Sequence, residues 1–226
     1  MSNTRRSPLR KTDLLILTCC AILVLIGLLI VHTWLNQALG YKAVEEFPLL
    51  SEIEPIQDEE AIKPLPMQSI GKTMITMEPK ATYRIHGQLV GKKRYRSGFM
   101  SSVSPYDYAL IWGDLPKMTD RIKFRQVIRY CLYSFKHGTD IDVAYVQEHM
   151  SNNHLIPANK NLRKAMSKAK KGDLICIDGY LVDVYASKDG QHSSSWRTSM
   201  QRDDIGDGAC EIIYVTSLRI NDMIYN

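Results

Sequence analysis

The chain has 226 residues, 45% of them hydrophobic, and a formal net charge of +5. That length allows one compact domain plus attachments, and the apolar content is that of a chain that buries a core. Five cysteines, two of them inside an apolar run, exclude a disulfide-rich scaffold.

In chain order, the first predicted element is a membrane span. Residues 1–13 form a short basic tail containing Arg5, Arg6, Arg10 and Lys11. From Leu14 to Val31 no residue is charged, and the apolar stem continues to Leu35. About 20 such residues at roughly 1.5 Å each cross a hydrocarbon layer of about 30 Å. Trp34 and Tyr41 stand where interfacial aromatics are expected, and the cations in front of the span place the N-terminus in the cytosol. The expectation is therefore a single-pass cell-membrane protein, anchored through Leu14–Leu35, with everything after it extracytoplasmic. A cleaved signal ending near Ala38-Leu39-Gly40 is the competing reading. An apolar run of about 18 residues is longer than the usual h-region of about 7–15 residues.

Residues 36–80 hold five of the nine prolines and the acidic run Asp58-Glu59-Glu60, which reads as a stalk too polar to fold alone. Residues 81–226 read as the folded domain. It is mildly basic, with 21 Lys and Arg against 15 Asp and Glu, and its cations concentrate at Lys92–Arg96 and between Lys160 and Lys171.

Within the domain, Thr82–Val90 alternates as a half-buried strand, and Asp107–Trp112 is a second strand. Ile122, Phe124, Val127, Ile128, Cys131, Leu132 and Phe135 recur at helical spacing and predict a helix from Asp120 to His137, with Gly138 as its stop. A short helix is expected from Asp140 to Met150, and a third from Lys160 to Lys171, capped by Asn159 and closed by Gly172. Leu174–Ala186 reads as two strand runs turning at Asp178-Gly179, and Ser194–Met200 and Ala209–Ile220 supply the last strands. The fold class is α+β: a mainly antiparallel curved sheet, or a small open barrel of the oligonucleotide/oligosaccharide-binding type with inserted helices.

Two polar segments are the candidates for function. The first, between His149 and Pro157, is expected to be a loop and offers Asn153 and His154. The second, from Trp196 to Glu211, offers Arg197, Ser199, Arg202 and Asp204, a density of Arg, Ser and Asp greater than a turn requires. Cys176 and Cys210 both fall in strand-like runs and form a possible disulfide. No Gly-rich phosphate loop, zinc pattern or calcium loop is present in the sequence, so no cofactor or metal is expected. The expected function is a membrane-anchored binding or scaffolding module of the cell envelope, engaging an envelope protein or a glycan or anionic ligand. The alternative is an envelope hydrolase using His154 with Cys210 or Ser199 and an acid from Asp203 or Asp204. Nucleic acid is disfavoured, because the aromatics are not interleaved with the cationic clusters.

Overall fold

The computed structural model describes residues 11–35, 37–201 and 209–226. The chain divides into two compact units, one ending at Gln37 and one running from Ala38 to Asn226.

The first unit is a helix, α1 (Lys11–Leu35). Its stretch Leu15–Thr33 is the one helix among the described residues long and apolar enough to cross a membrane. The 19 residues of that stretch rise about 28 Å. All of its large apolar side chains are exposed, as a lipid-facing helix requires and a soluble core helix does not.

The second unit is mostly sheet. Three short strands come first, β1 (Tyr41–Lys42), β2 (Ile56–Asp58) and β3 (Gln68–Ile70). They precede the long β4 (Thr73–Arg94), the short helix α2 (Phe99–Val103) and β5 (Tyr106–Ile111). A hairpin follows, β6 (Ile122–Val127) and β7 (Tyr130–Phe135), then α3 (Val143–Glu148), β8 (Met150–Pro157) and α4 (Lys160–Lys168). The chain ends with β9 (Leu174–Lys188), β10 (Gln191–Trp196), β11 (Ile212–Ile220) and β12 (Met223–Tyr225).

Five of these strands form a ring. β4 pairs with β5, β5 with β8, β8 with β11, β11 with β9, and β9 returns to β4. Within the ring every pairing is antiparallel except β8 with β11. Bulges at Pro79/Ala81 and Leu89/Gly91 in β4 and at Val215/Ser217 in β11 supply the bending that lets a sheet curve back on itself. The expected curved sheet with inserted helices is thus the fold observed.

Alternation along each strand divides the inside from the outside. On β5, Tyr106, Tyr108 and Leu110 enter the main core with Tyr83, Ile85, Leu155, Ile177, Ile213 and Val215. Their neighbours Ala109 and Ile111 instead face the β6–β7 hairpin. One end of the core is closed by α4, which buries Leu162, Ala165 and Met166 and is capped by Asn159, whose side chain accepts from the Leu162 N–H. Tyr108 extends across the core and donates to the Met166 carbonyl (2.6 Å).

Four local expectations are corrected. The segment expected as a helix from Asp120 to His137 is the β6–β7 hairpin, whose turn places Ile128 at φ 51, a conformation no helix contains. Asp178-Gly179 does not turn the chain; β9 runs straight through it. A Cβ on Gly179 would lie 2.1 Å from the Tyr214 carbonyl oxygen, so this glycine allows two strands to approach closely. The last expected strand before residue 201 is β10, ending at Trp196. The polar stretch beginning at His149 is not a loop but β8, and Ser151–Ile156 are buried.

From Ala38 on, the stretch read as a stalk belongs to the second unit. Asn161 brackets Leu39, accepting its N–H (2.7 Å) and donating to its carbonyl (2.8 Å). The Leu50 carbonyl accepts from Gly113 N–H (2.9 Å), and Glu54 accepts from Trp112 Nε1 (2.7 Å). β2 and β3 extend the sheet along β4, and β1 pairs with β12. Pro48, Pro55, Pro64 and Pro66 fall between these short strands, and Pro79 sits at the bulge of β4, where a missing N–H costs little.

Candidate functional site

The outer face of β5 and β8 carries Asp107 and, directly opposite it in register, His154. Asp107 is fully buried. A carboxylate in that position is tolerable only when donors surround it. Arg129 Nη1 donates to Asp107 Oδ1 (2.7 Å), and the Tyr95 hydroxyl donates to Oδ2 (2.8 Å). His154 Nδ1 lies 2.9 Å from Oδ1, close enough for an ion pair when the ring is protonated. Its direction does not meet hydrogen-bond geometry, so the contact is electrostatic rather than directional.

Arg129 enters from the turn of the β6–β7 hairpin. Its guanidinium also donates to the Ser104 hydroxyl (3.3 Å) and carbonyl (3.0 Å), and lies 3.8 Å over the Tyr95 ring and 5.3 Å from that of Trp196. Trp196 in turn lies 4.5 Å from the His154 ring. The turn itself is fastened to the site. Tyr95 donates to the Ile128 carbonyl, and Asn152 Nδ2 to that of Arg129 (2.9 Å). Two such anchors hold Ile128 in a left-handed conformation unfavourable for a β-branched residue. Burial and the neighbouring Asp107 carboxylate push the Tyr95 hydroxyl well above its ordinary range, so it remains a donor.

Cys210 borders the same cluster. Its Sγ accepts from Asn152 Nδ2 (3.4 Å) and lies 3.9 Å from the Arg129 carbonyl, and the next residue, Glu211, accepts from the His154 N–H (2.8 Å). Glu211 is buried and accepts from Ser151 (2.6 Å).

The residues singled out from sequence separate. His154 and Cys210 come together. Asn153, one residue from His154, points to the opposite face, donating to the Tyr108 carbonyl (3.2 Å) while its Oδ1 finds no partner among the described residues. Arg197 is exposed; with the Lys80 hydrogen bond as the leading cause, its charge helps lower the Glu78 carboxyl. Ser199 is buried in a turn, its hydroxyl donating to the Gln201 carbonyl (3.0 Å) and accepting from Gln201 N–H (3.1 Å). Arg202 and Asp204, like Asp203, lie outside the described residues.

Cys176 and Cys210 are both free thiols. Cys176 is paired in register with Arg219, seven residues along β11 from Ile212, a separation of about 23 Å, whereas a disulfide needs Cα atoms within about 7 Å. Burial pushes the Cys131 thiol up to about 11 and the Cys176 thiol up to about 12. Both are therefore protonated and unreactive at neutral pH.

Asp107, Arg129, Tyr95, Asn152 and Trp196 are the site residues that sequence reasoning passed over. One signal was available: Asp107 is the lone charge within a strand run of Tyr, Ala, Leu, Ile and Trp, a place where a carboxylate needs partners. Among the described residues, no three of His, Cys, Asp and Glu gather as metal ligands would. No family model, curated protein or solved structure matches the chain.

Proposed function

We propose that the second unit is a binding module built on a barrel of the oligonucleotide/oligosaccharide-binding type, held at the cell membrane by α1 and displayed on its extracytoplasmic side. The barrel reading is supported by the ring order. Numbering its strands by appearance gives first, second, third, fifth, fourth, with a helix between the third and fourth. Barrels of this type take ligands on the second and third strands and the loops beside them. The single observation that carries the functional reading is the Asp107–Arg129–His154 cluster on the outer face of those two strands. Tyr95, from the first connection, and Trp196, from the connection between the fourth and fifth strands, complete it. An Asp–Arg–His cluster with two buried members, flanked by two aromatic rings, is more polar machinery than a sheet needs for stability.

The ligand class this surface suits is a glycan carrying carboxylate or phosphate groups, with Trp196 as the stacking platform and Arg129 as the anion partner. The test is a fluorescence titration of the full-length protein in detergent with tetragalacturonic acid, using neutral chitotetraose and a single-stranded oligonucleotide as comparisons. A saturable change with the acidic sugar, lost in Trp196→Ala, is the expected result. No saturable response to any of the three would leave the cluster a structural staple. Stronger binding of the oligonucleotide would replace the glycan by nucleic acid.

Orientation is supported by the four cations that precede the apolar stretch. A reporter that works only outside the cytosol should be active when fused after Asn226 and silent when fused after Arg10; the reverse pattern would invert the topology.

A hydrolytic reading has one observation in its favour. Asp107 places a carboxylate beside His154, and Asn152 links that strand to Cys210, a grouping that a thiol nucleophile with its base would use. Ser199 is less suited, because its hydroxyl is engaged by Gln201. Cys210→Ser separates the readings, since it would abolish hydrolysis of a thiol-sensitive ester probe and leave carbohydrate binding intact.

A further inference from the structure

We infer that the outer face of α4 docks on the anionic headgroups of the bilayer that α1 enters. This inference rests on the membrane anchoring proposed above, is independent of the β5–β8 site, and is argued from α4 and the chain that leads to it.

The buried face of α4 is made by Leu162, Ala165 and Met166. At 100° per residue, Lys160, Arg163, Lys164 and Lys168 fall on the opposite side. Lys170 and Lys171 follow in the exposed turn beyond the helix, and no acidic residue occurs from Lys160 to Gly172. Lys92 lies beneath this face, donating to the carbonyls of Ser167 and Ala169 (2.7 Å each). A cationic helix face of this kind is by itself most often just a solvated surface.

The second observation distinguishes this one. The same helix holds the first residues of the folded unit: Asn161 binds Leu39 through both backbone groups, and Lys168 Nζ donates to the Ala38 carbonyl (3.4 Å). Ala38 is buried and follows Thr33, the end of the apolar stretch, by five residues. Five residues extend at most about 17 Å, and the headgroup layer occupies several of those ångströms. Whatever the angle between the two units, covalent reach keeps the residues that α4 grips near the bilayer surface. The cations beside them then fall within about one to two Debye lengths of it. The partner that suits a strip of lysine and arginine at that height is the phosphate of an anionic phospholipid.

The test uses the full-length protein in nanodiscs of phosphatidylcholine alone and of phosphatidylcholine mixed equally with phosphatidylglycerol. Lysine acetylation, read by mass spectrometry, reports Lys160, with Lys123 and Lys136 on the β6–β7 hairpin as internal controls. Each cation near an anionic surface changes the docked-to-free ratio about fivefold. Labelling of Lys160 relative to the controls should therefore fall at least about fivefold in the anionic discs and recover in high salt. Arg163→Glu combined with Ser167→Glu should restore labelling without salt. The salt response of the unaltered protein decides the matter even if that variant folds poorly.

Equal labelling in the two disc types would overturn the inference. So would a loss shared by Lys123 and Lys136, or shielding produced only when an oligonucleotide or polyaspartate is added to neutral discs. Release of the whole chain from both disc types by high salt would overturn the anchor, and the docking with it.

Discussion

Asp107→Ala should lower the unfolding free energy by about 3–4 kcal/mol, read by denaturant unfolding of the full-length protein in detergent. Removing one partner of a buried ion pair leaves an uncompensated charge, which costs about 3–5 kcal/mol. The lower part of that range applies because Arg129 keeps 19% of its side chain exposed and can draw in water, whereas Asp107 is at 0%. Two donors, Arg129 and the Tyr95 hydroxyl, lose this acceptor at once, and His154 loses the carboxylate beside its ring. The turn holding Ile128 should loosen with them, because Tyr95 also secures that carbonyl. Asp107→Asn keeps the shape and one acceptor oxygen and should lie between the two. A double-mutant cycle with Arg129→Ala isolates the pair, and a coupling under about 1 kcal/mol would show it to be no stronger than a surface ion pair.

Trp112→Ala should be the most damaging single change in the core, at about 3–5 kcal/mol. Trp112 has no exposed surface, packs in the main cluster, and donates through Nε1 to Glu54 (2.7 Å). Its own N–H bonds the His149 carbonyl (3.1 Å), and the adjacent Gly113 N–H bonds that of Leu50 (2.9 Å). The indole therefore fills the core and holds Glu54, while the backbone beside it holds Leu50. Alanine should make the segment from Leu50 to Glu54 a preferred site of limited proteolysis as well as lowering the melting temperature. Trp112→Phe keeps most of the apolar contact and loses one hydrogen bond, worth about 1 kcal/mol. If phenylalanine proved as costly as alanine, the Glu54 bond would carry more of the stability than the indole's burial.

The parts of this fold that were legible in the sequence are those written in local patterns. The uncharged run of α1, the alternation along β4 and the Asn159 cap of α4 are each visible in one short stretch, whereas α4 ends at Lys168, short of the expected stop at Gly172. The β6–β7 hairpin was not, because Ile122, Phe124, Val127, Ile128, Cys131, Leu132 and Phe135 satisfy helical spacing as well as two facing strands do. Its turn also lacks the Asn-Gly or Asp-Gly that usually announces a hairpin; Ile128 takes the left-handed position instead. That single error hid Arg129, which a helix would have aimed elsewhere. The candidate site suffered for the same reason. His154 and Cys210 were recognisable as chemically able residues, but their neighbours come from distant strands. Asp107 meets His154 across 47 residues through the β5–β8 register, and Arg129 across 22 through the docking of a separate hairpin, neither of which a local pattern announces. The stretch from Ala38 to Lys80 was misleading in composition, since prolines and acids suit the connections between short strands as well as a tether.

The parallel pairing of β8 with β11 also governs when this protein can fold during synthesis. β11 supplies two of the five joints of the ring, one to β8 and one to β9, and it is made after the other four ring strands. The 54 residues between Pro157 and Ile212 must leave the ribosome before either joint can form. A nascent chain halted between Lys188 and Ile212 thus exposes two unpaired strand edges, on β8 and β9, each a template for another chain. Closure waits for long-range contacts, which form slowly. α1 has emerged long before then, so under the proposed anchoring a chaperone guarding those edges would meet a chain tethered at its other end.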